Sequence, residues 1–292
     1  KVLNKEINAY ICNDEKYDLI KKYFAEQYGE YCYDELKKET FVQGLAQMFR
    51  TSGDTGGKKG NKSKLYESMV LPYLHKNPES TVLDFGCGKG EYIGLVKKKH
   101  NAVGVEFYNN NGKQINISKG NKMIDELIEF LNHDKAFDVC VCDSVLNSVD
   151  SVEAEESIYT CMNLFTKDKL FISGRPLDRL EQLRNMKKDA SNGVRYLEFL
   201  DSNNFTANYR NGKWYYQHYH KKEKVISELE KHGFKIDNCQ WGGTSFQIEC
   251  HKAEELPKEQ YIKAIDFEFN LPLPNGKTYN RQEDVKKALE LL

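Results

Sequence analysis

The stretch Val82–Tyr92, VLDFGCGKGEY, runs from a short apolar segment through an acid into three alternating glycines. The apolar segment is typical of a buried strand. The glycines let the following turn bend sharply and approach a ligand closely, because no side chain stands in the way. Asp84 lies just ahead of them, and its carboxylate would repel a phosphate but suit an ammonium or sulfonium group. The stretch predicts a strand followed by a ligand-binding loop.

Strands and helices alternate along the chain after this loop. The strand patterns lie at 81–85, 102–106, 137–142 and 169–173. Helical patterns lie between them, at 92–99, 121–132 and 151–165. Such alternation predicts an α/β fold with a parallel sheet and helices on both faces. Two further strands, at 234–237 and 245–250, are expected to close the sheet as an antiparallel pair.

The chain divides into three predicted regions. Residues 1–64 form an N-terminal helical region that ends in a flexible loop rich in glycine and lysine, TSGDTGGKKGNKSK. Residues 65–252 form the core. A β-hairpin is inserted in the core at about 176–217, because Asn211-Gly212 between β-rich runs is a strong hairpin signal. Residues 253–292 form a C-terminal extension that ends in a helix with a capping-box-like start.

Composition limits the classes of partner. A net charge of -1 gives no general attraction to nucleic acid or to an anionic membrane. Charged residues make up 30% of the chain, the mean hydropathy is -0.71, and no stretch approaches the roughly 18–20 apolar residues of a membrane span. We therefore expect a cytoplasmic protein with no membrane partner. The chain begins at Lys1, so we also expect a segment upstream to be missing.

The eight cysteines include no CxxC pair, and no Cys/His group has zinc-finger spacing. Cys140 and Cys142 alternate within a strand pattern and should therefore share one face of the sheet. We interpret them as reduced, buried thiols, and we expect no metal site.

A second acidic residue ends the next strand pattern. Glu106 ends the second strand pattern, 22 residues after Asp84. An acid at this place can accept hydrogen bonds from both hydroxyls of a ribose. A ribose together with a cationic amino-acid tail describes S-adenosylmethionine.

At these residues the sequence resembles the class I S-adenosylmethionine-dependent methyltransferases. The similar segments are VLDFGCGKG at 82–90, GVEFY at 104–108, FDVCVCDSVLNSVD at 137–150 and QHYHKKEKVISELEKHGFKI at 217–236. The resemblance covers roughly residues 65–252. It implies a Rossmann-like, seven-stranded, mostly parallel sheet, with S-adenosylmethionine as cofactor and S-adenosylhomocysteine as product.

The resemblance also implies a set of cofactor-binding residues. Asp84, Gly86 and Gly88 would line the methionine moiety. Glu106 would hold the ribose, and Phe107 would lie against the adenine. The complete set that we carry over is Asp84, Phe85, Gly86, Cys87, Gly88, Gly90, Glu106, Phe107, Asp143 and Ser144, of which the last two would face the sulfonium and the substrate.

The candidate proton acceptors for the methylated group are Asp143, His218 and His220. Both histidines would share one face of the hairpin strand, and imidazole suits general-base work near neutral pH. The same pattern also fits residues that merely pack the hairpin. Asp143 has an alternative role as a structural acceptor for loop amides.

The acceptor substrate stays open between a nucleic acid and a small molecule. The segment after the strand pattern at 137–142 has no Asp/Asn-Pro-Pro-aromatic motif, and the chain has no Pro-Cys, so the two common routes of DNA base methylation are disfavoured. Four lysines of the loop could contact phosphates, namely Lys58, Lys59, Lys62 and Lys64.

A looser resemblance favours a nucleic-acid setting. DSVLNSVDS at 143–151, ISGR at 172–175 and LPLPNGKTYN at 271–280 are similar to methyltransferase domains of phages and mobile elements. The alternatives are a small-molecule methyltransferase and a non-catalytic module that senses the cofactor.

Overall fold

The computed structural model describes residues 62–109, 115–149, 152–178, 194–199, 205–210, 213–271, 273 and 277–292. The helices predicted within residues 1–50 lie outside these ranges, as does most of the predicted loop. No helix in the described ranges combines the length and the apolar character that crossing a membrane requires.

Nine strands occur in the described residues. They are β1 (Val82–Phe85), β2 (Ala102–Val105), β3 (Phe137–Asp143), β4 (Thr166–Gly174), β5 (Val194–Phe199), β6 (Phe205–Arg210), β7 (Lys213–His218), β8 (Phe234–Gln240) and β9 (Phe246–Lys252). The helices of the same residues begin with a π-helical turn (Tyr66–Val70) that continues into α1. They are α1 (Leu71–Lys76), α2 (Glu91–Val96), α3 (Ile117–His133), a 3-10 turn (Leu146–Ser148), α4 (Val152–Phe165), α5 (Lys222–Lys231), α6 (Lys258–Glu268) and α7 (Gln282–Ala288).

The principal sheet has the strand order β2-β1-β3-β4-β9-β8. Strands β2, β1, β3 and β4 pair in parallel, and β9 runs antiparallel to both of its neighbours. The predicted α/β class, the mostly parallel sheet and the antiparallel closing pair are therefore confirmed. The strand order reverses at β1, because β2 lies on one side of it and β3 on the other. A ligand crevice opens at the carboxyl ends of the strands at such a reversal.

The described residues carry six strands in this sheet, where the resemblance implied seven. Between β2 and β3 the described residues contain one helix, α3, after which the chain returns to pair with β1 on its other side. A further strand would need a further crossover of a dozen or more residues.

The remaining strands form a separate antiparallel sheet in the order β5-β6-β7. Arg210 of β6 pairs with Lys213 of β7, on either side of the Asn-Gly dipeptide. The third strand, β5, pairs with β6 and was not predicted from the sequence.

Two apolar cores cover the two faces of the principal sheet. Leu83 and Cys140 belong to the core packed by α3 and α4, whereas Val82 and Val139 belong to the core packed by the π-helical turn and α2. Neighbouring residues point to opposite faces because a strand has a period of two. Cys140 and Cys142 lie in the same core and are fully buried, as predicted, and burial raises the pKa of the Cys140 thiol to about 12.

The C-terminal extension packs against the core. Helix α6 lies on α4, and α7 lies on α3. Tyr279, between the two C-terminal helices, is buried and donates a hydrogen bond of 2.6 Å to the carbonyl of Phe107. Only the last helix was predicted from the sequence.

Two helical glycines give a matched test of this packing. A Cβ atom at Gly120 would lie 2.1 Å from the Tyr279 hydroxyl, whereas a Cβ at Gly94 meets nothing within 4 Å. We expect Gly120→Ala to lower the free energy of unfolding by about 1–3 kcal/mol, because the buried tyrosine has to move. Gly94→Ala should instead raise it by up to about 1 kcal/mol, since alanine favours helix. Urea unfolding of both variants measures the difference, and equal stability would contradict the Tyr279 contact.

Candidate active site

The loop after β1 is fastened to the end of β2. The amides of Gly86 and Cys87 both donate to the Val105 carbonyl, at 2.8 and 3.0 Å, and Gly90 N–H closes the turn onto the Cys87 carbonyl at 3.0 Å. The backbone φ angle at Gly88 is +62°, a conformation that side chains disfavour. The sequence predicted a glycine loop at this place, and the structure gives it a fixed shape.

Two of the glycines have different surroundings. A Cβ at Gly86 would lie 2.2 Å from Cγ2 of Val145, so the loops after β1 and β3 are in direct contact there. A Cβ at Gly88 meets nothing within 4 Å. The loop therefore borders open space at Gly88, and the backbone is accessible to a ligand.

Glu106 follows β2 directly and is only 6% exposed. Its two carboxylate oxygens accept hydrogen bonds from the amides of Gly88 and Tyr108, each at 2.9 Å. An ionised carboxylate has about four acceptor positions, so it can accept further bonds from a ligand. The acid thus fixes the glycine loop and stands at its edge.

Asp84 is buried near the carboxyl end of β1. The Tyr66 hydroxyl, which belongs to the π-helical turn, donates to its carboxylate at 2.7 Å. Burial, and then the charge of Asp84, raise the pKa of Tyr66 well above its ordinary value, so the phenol stays protonated and remains a donor. Tyr66 was not predicted as a site residue, because in the sequence this tyrosine resembles any other apolar residue of a helix.

Asp143 ends β3 and is half-buried. Three serine hydroxyls donate to it, those of Ser63 at 2.5 Å, Ser173 at 2.6 Å and Ser144 at 3.1 Å. Ser144 has a φ of 65°, which is unusual for a residue other than glycine and tends to occur at functional sites. Ser173 lies in β4, so neighbouring strand ends orient this acid together.

The segment that precedes α1 lies across this edge of the sheet. Ser63 N–H donates to the Tyr92 hydroxyl at 3.0 Å, and that hydroxyl donates to Glu67 at 2.8 Å. The rings of Tyr66 and Tyr92 are stacked with centroids 4.5 Å apart. Ser63 is buried in the site, although the sequence placed it in the predicted loop.

Phe85 and Phe107 lie in the core on one face of the sheet, whereas the half-buried Cys87 packs against the core on the other face. The rings of Phe85 and Phe107 are buried and meet edge to face with centroids 5.7 Å apart, and Phe107 meets Phe269 in the same way at 5.4 Å. Burial raises the pKa of the Cys87 thiol well above its ordinary value. These side chains hold the edge of the sheet together.

His218 and His220 are both buried, and their Nδ1 atoms face the Glu155 carboxylate at 3.4 and 3.7 Å. Burial lowers the pKa of His220 to about 3, and Lys224 acts in the same direction. Burial raises the pKa of Glu155 to about 7 against the opposing charge of Lys224. The two histidines were predicted together from the sequence. Glu155 was not predicted, because no local pattern connects it to them.

The predicted lysines are described only in part. Lys58 and Lys59 lie outside the described residues. Lys62 and Lys64 are exposed and stand on either side of Ser63.

Comparison with known proteins gives a likeness of shape alone. No protein-family model matches the sequence, and no curated protein matches it. An S-adenosylmethionine-dependent methyltransferase from Clostridium acetobutylicum is similar in structure at 12% identity and a TM-score of 0.48, over 66% of this chain and 93% of that one. A putative S-adenosylmethionine-dependent methyltransferase from Listeria monocytogenes is similar at 15% identity and a TM-score of 0.42, over 63% and 100%.

A third similar structure is magnesium protoporphyrin IX methyltransferase from Synechocystis with bound SAH. It has 14% identity and a TM-score of 0.42, over 81% of this chain and 99% of that one. These values are too low to carry an argument about activity.

The tyrosine that reaches Asp84 can be tested against a matched tyrosine. We expect Tyr66→Phe to lower the free energy of unfolding by about 1–3 kcal/mol, because a buried carboxylate loses a donor. Tyr73→Phe removes a hydroxyl that meets Asp168 at 3.5 Å in an exposed position, so it should change stability by less than about 0.5 kcal/mol. Urea unfolding compares the two, and similar values would remove the Tyr66 hydroxyl from the account of the site.

Proposed function

We propose that the chain is an S-adenosylmethionine-dependent methyltransferase. The observation that carries this proposal is the open space beside Gly88, on a loop that follows the fixed acid Asp84 and whose Gly88 amide is held by a second acid, Glu106. The Asp84 carboxylate, just ahead of the loop, disfavours a phosphate at that place, because like charges repel.

The chemical groups of these residues suit the groups of the cofactor. Glu106 would accept hydrogen bonds from the ribose hydroxyls, and Asp84 suits the positive charges of the methionine end. The bare backbone at Gly88 permits close approach. When bound, the cofactor supplies an activated methyl group on a sulfonium, so the chain has to provide alignment and a proton acceptor.

Asp143 is the proton acceptor that we favour. It is half-buried at the carboxyl edge of β3, and its hydroxyl donors Ser63, Ser144 and Ser173 orient its carboxylate. An oriented carboxylate can accept a proton from an O–H or N–H group of the acceptor. His218 and His220 are the second choice, because both are buried against Glu155.

We propose a nucleic acid as the acceptor, with a small molecule as the alternative. Lys62 and Lys64 are exposed on either side of Ser63, whose hydroxyl bonds to Asp143. Two exposed lysines therefore flank in the chain a residue that bonds to the proposed proton acceptor, and they could hold phosphates. Lys58 and Lys59 precede them in the same lysine-rich stretch.

The decisive experiment is transfer of a tritiated methyl group from S-adenosylmethionine into the DNA, RNA, protein and small-molecule fractions of a cell extract. Label in DNA or RNA supports the proposal in full. Label confined to small molecules supports methyl transfer and overturns the proposed acceptor. Binding of the cofactor with no label in any fraction would favour a sensor.

Cofactor binding is tested at the open glycine. We expect Gly88→Ala to weaken binding of S-adenosylhomocysteine by at least about tenfold, because the new methyl group occupies the open space next to the loop. Gly94→Ala makes the same chemical change outside the loop and should bind as the native chain does. Isothermal titration calorimetry measures both affinities, and native affinity in Gly88→Ala would exclude this loop as the binding site.

The lysines are tested as a pair. We expect Lys62→Ala/Lys64→Ala to bind DNA or RNA several-fold more weakly and with a salt dependence that is about two charges smaller, since each phosphate contact releases about one counterion. Lys98→Ala/Lys99→Ala removes two exposed lysines after α2 and serves as the control. Fluorescence anisotropy over a salt series gives the slopes, and identical slopes for the two variants would reject the proposed contact.

A further inference from the structure

Glu155, His218 and His220 form a buried group that the proposed reaction does not require, and we call it the His–Glu cluster. Glu155 comes from α4, His218 ends β7, and His220 follows two residues later. Their exposed fractions are 3%, 0% and 1%. One potential metal-ligand atom from each residue lies within 4.8 Å of the others.

The spacing within the cluster is too wide for good hydrogen bonds. The Nδ1 atoms of His218 and His220 lie 3.4 and 3.7 Å from the Glu155 oxygens, whereas such hydrogen bonds are usually about 2.7–3.2 Å long. Two ligand atoms on a tetrahedral zinc ion are about 3.4 Å apart, because each lies about 2.1 Å from the metal. The distances from the two imidazoles to the two Glu155 oxygens are close to such an edge, and the third side of the group is no longer than 4.8 Å, so a metal ion could draw the three side chains together.

The cluster also contains polar atoms without good hydrogen bonds. Among the described residues, neither oxygen of Glu155 and neither ring nitrogen of His220 makes a hydrogen bond of good geometry, although the Tyr159 side chain lies near the carboxylate and the Leu146 backbone near the imidazole. Lys224 approaches Glu155 at 3.8 Å, which offsets part of the carboxylate charge. Buried polar atoms without good hydrogen bonds are rare and costly, so their presence here indicates a bound group.

The chemistry of the three ligands selects the kind of ion. Imidazole nitrogens with one carboxylate suit Zn²⁺ and its transition-metal neighbours, whereas Ca²⁺ and Mg²⁺ prefer oxygen ligands.

We propose that Glu155, His218 and His220 bind one divalent transition-metal ion, for which Zn²⁺ is the best fit. The inference goes beyond the proposed methyl transfer and does not depend on it. No sequence pattern indicated this site, because Glu155 lies far along the chain from the two histidines.

The position of the cluster gives the ion a structural role. His220 N–H donates to the Arg175 carbonyl at 2.8 Å, and Leu177 N–H donates to the His220 carbonyl at 2.8 Å. The two ends of the segment inserted between β4 and α5 are thereby joined beside the cluster. A metal ion would tie this junction to α4 and fix the base of the insertion to the core.

The test uses the full chain, stripped of metal with a chelator and titrated with Zn²⁺, with Co²⁺ as a spectroscopic probe. We expect one ion to bind per chain and the melting temperature to rise with Zn²⁺ concentration. Bound Co²⁺ should show visible absorption bands typical of nitrogen and oxygen ligands. A native chain that binds neither ion overturns the proposal.

Variants locate the ion. Glu155→Gln and His220→Ala should each lower the Zn²⁺ affinity by at least about tenfold, since each removes a ligand. Glu268→Gln is the matched control, because Glu268 is also a buried carboxyl group, at 4% exposure, on another helix. Circular dichroism checks that each variant is folded, and native affinity in a folded Glu155→Gln chain contradicts the assignment.

A further variant keeps all three proposed ligands, so that a loss of Zn²⁺ binding in it cannot result from removal of a ligand. Lys224→Met removes the cation that competes for Glu155, and we expect Zn²⁺ to bind at least as tightly as in the native chain. Loss of binding in this variant would contradict a metal site and identify the cluster as an ion-pair network that depends on Lys224.

Discussion

Strand β1 hydrogen-bonds in parallel to β2 on one side and to β3 on the other, and the candidate site depends on this pairing. Because the three strands run in the same direction, their carboxyl ends meet at one edge of the sheet. Asp84, Glu106 and Asp143 are thereby brought to adjacent strand ends. Three acids this close are tolerated only with donors around them, and the structure supplies backbone amides, serine hydroxyls and one phenol.

Residues 62–70 contribute side chains both to the core and to the candidate site. Leu65 and Val70 are buried in the core on one face of the sheet, while Ser63 and Tyr66 donate to Asp143 and Asp84. A displacement of this segment would expose apolar surface and remove two donors from acids together. Packing therefore keeps the polar edge in place.

Contacts from distant parts of the chain complete the fold at two further places. Tyr279 packs against Gly120 and donates to the Phe107 carbonyl, which ties the C-terminal extension to the residue after Glu106. The His–Glu cluster joins α4 to the end of β7. In both cases buried polar side chains connect elements that local sequence does not relate.

The sequence by itself determined the alternation of strands and helices, the antiparallel closing pair, the shared face of Cys140 and Cys142, and the strand ends that carry the candidate acids. These features follow from periodicity and turn residues within about ten positions, which local physics controls. Only the tertiary structure decided that the described sheet has six strands, that Ser63 bonds to Asp143 across 80 residues of sequence, and that Glu155 meets the two histidines. Such contacts are set by how whole elements pack against one another, and no local pattern of residues encodes them.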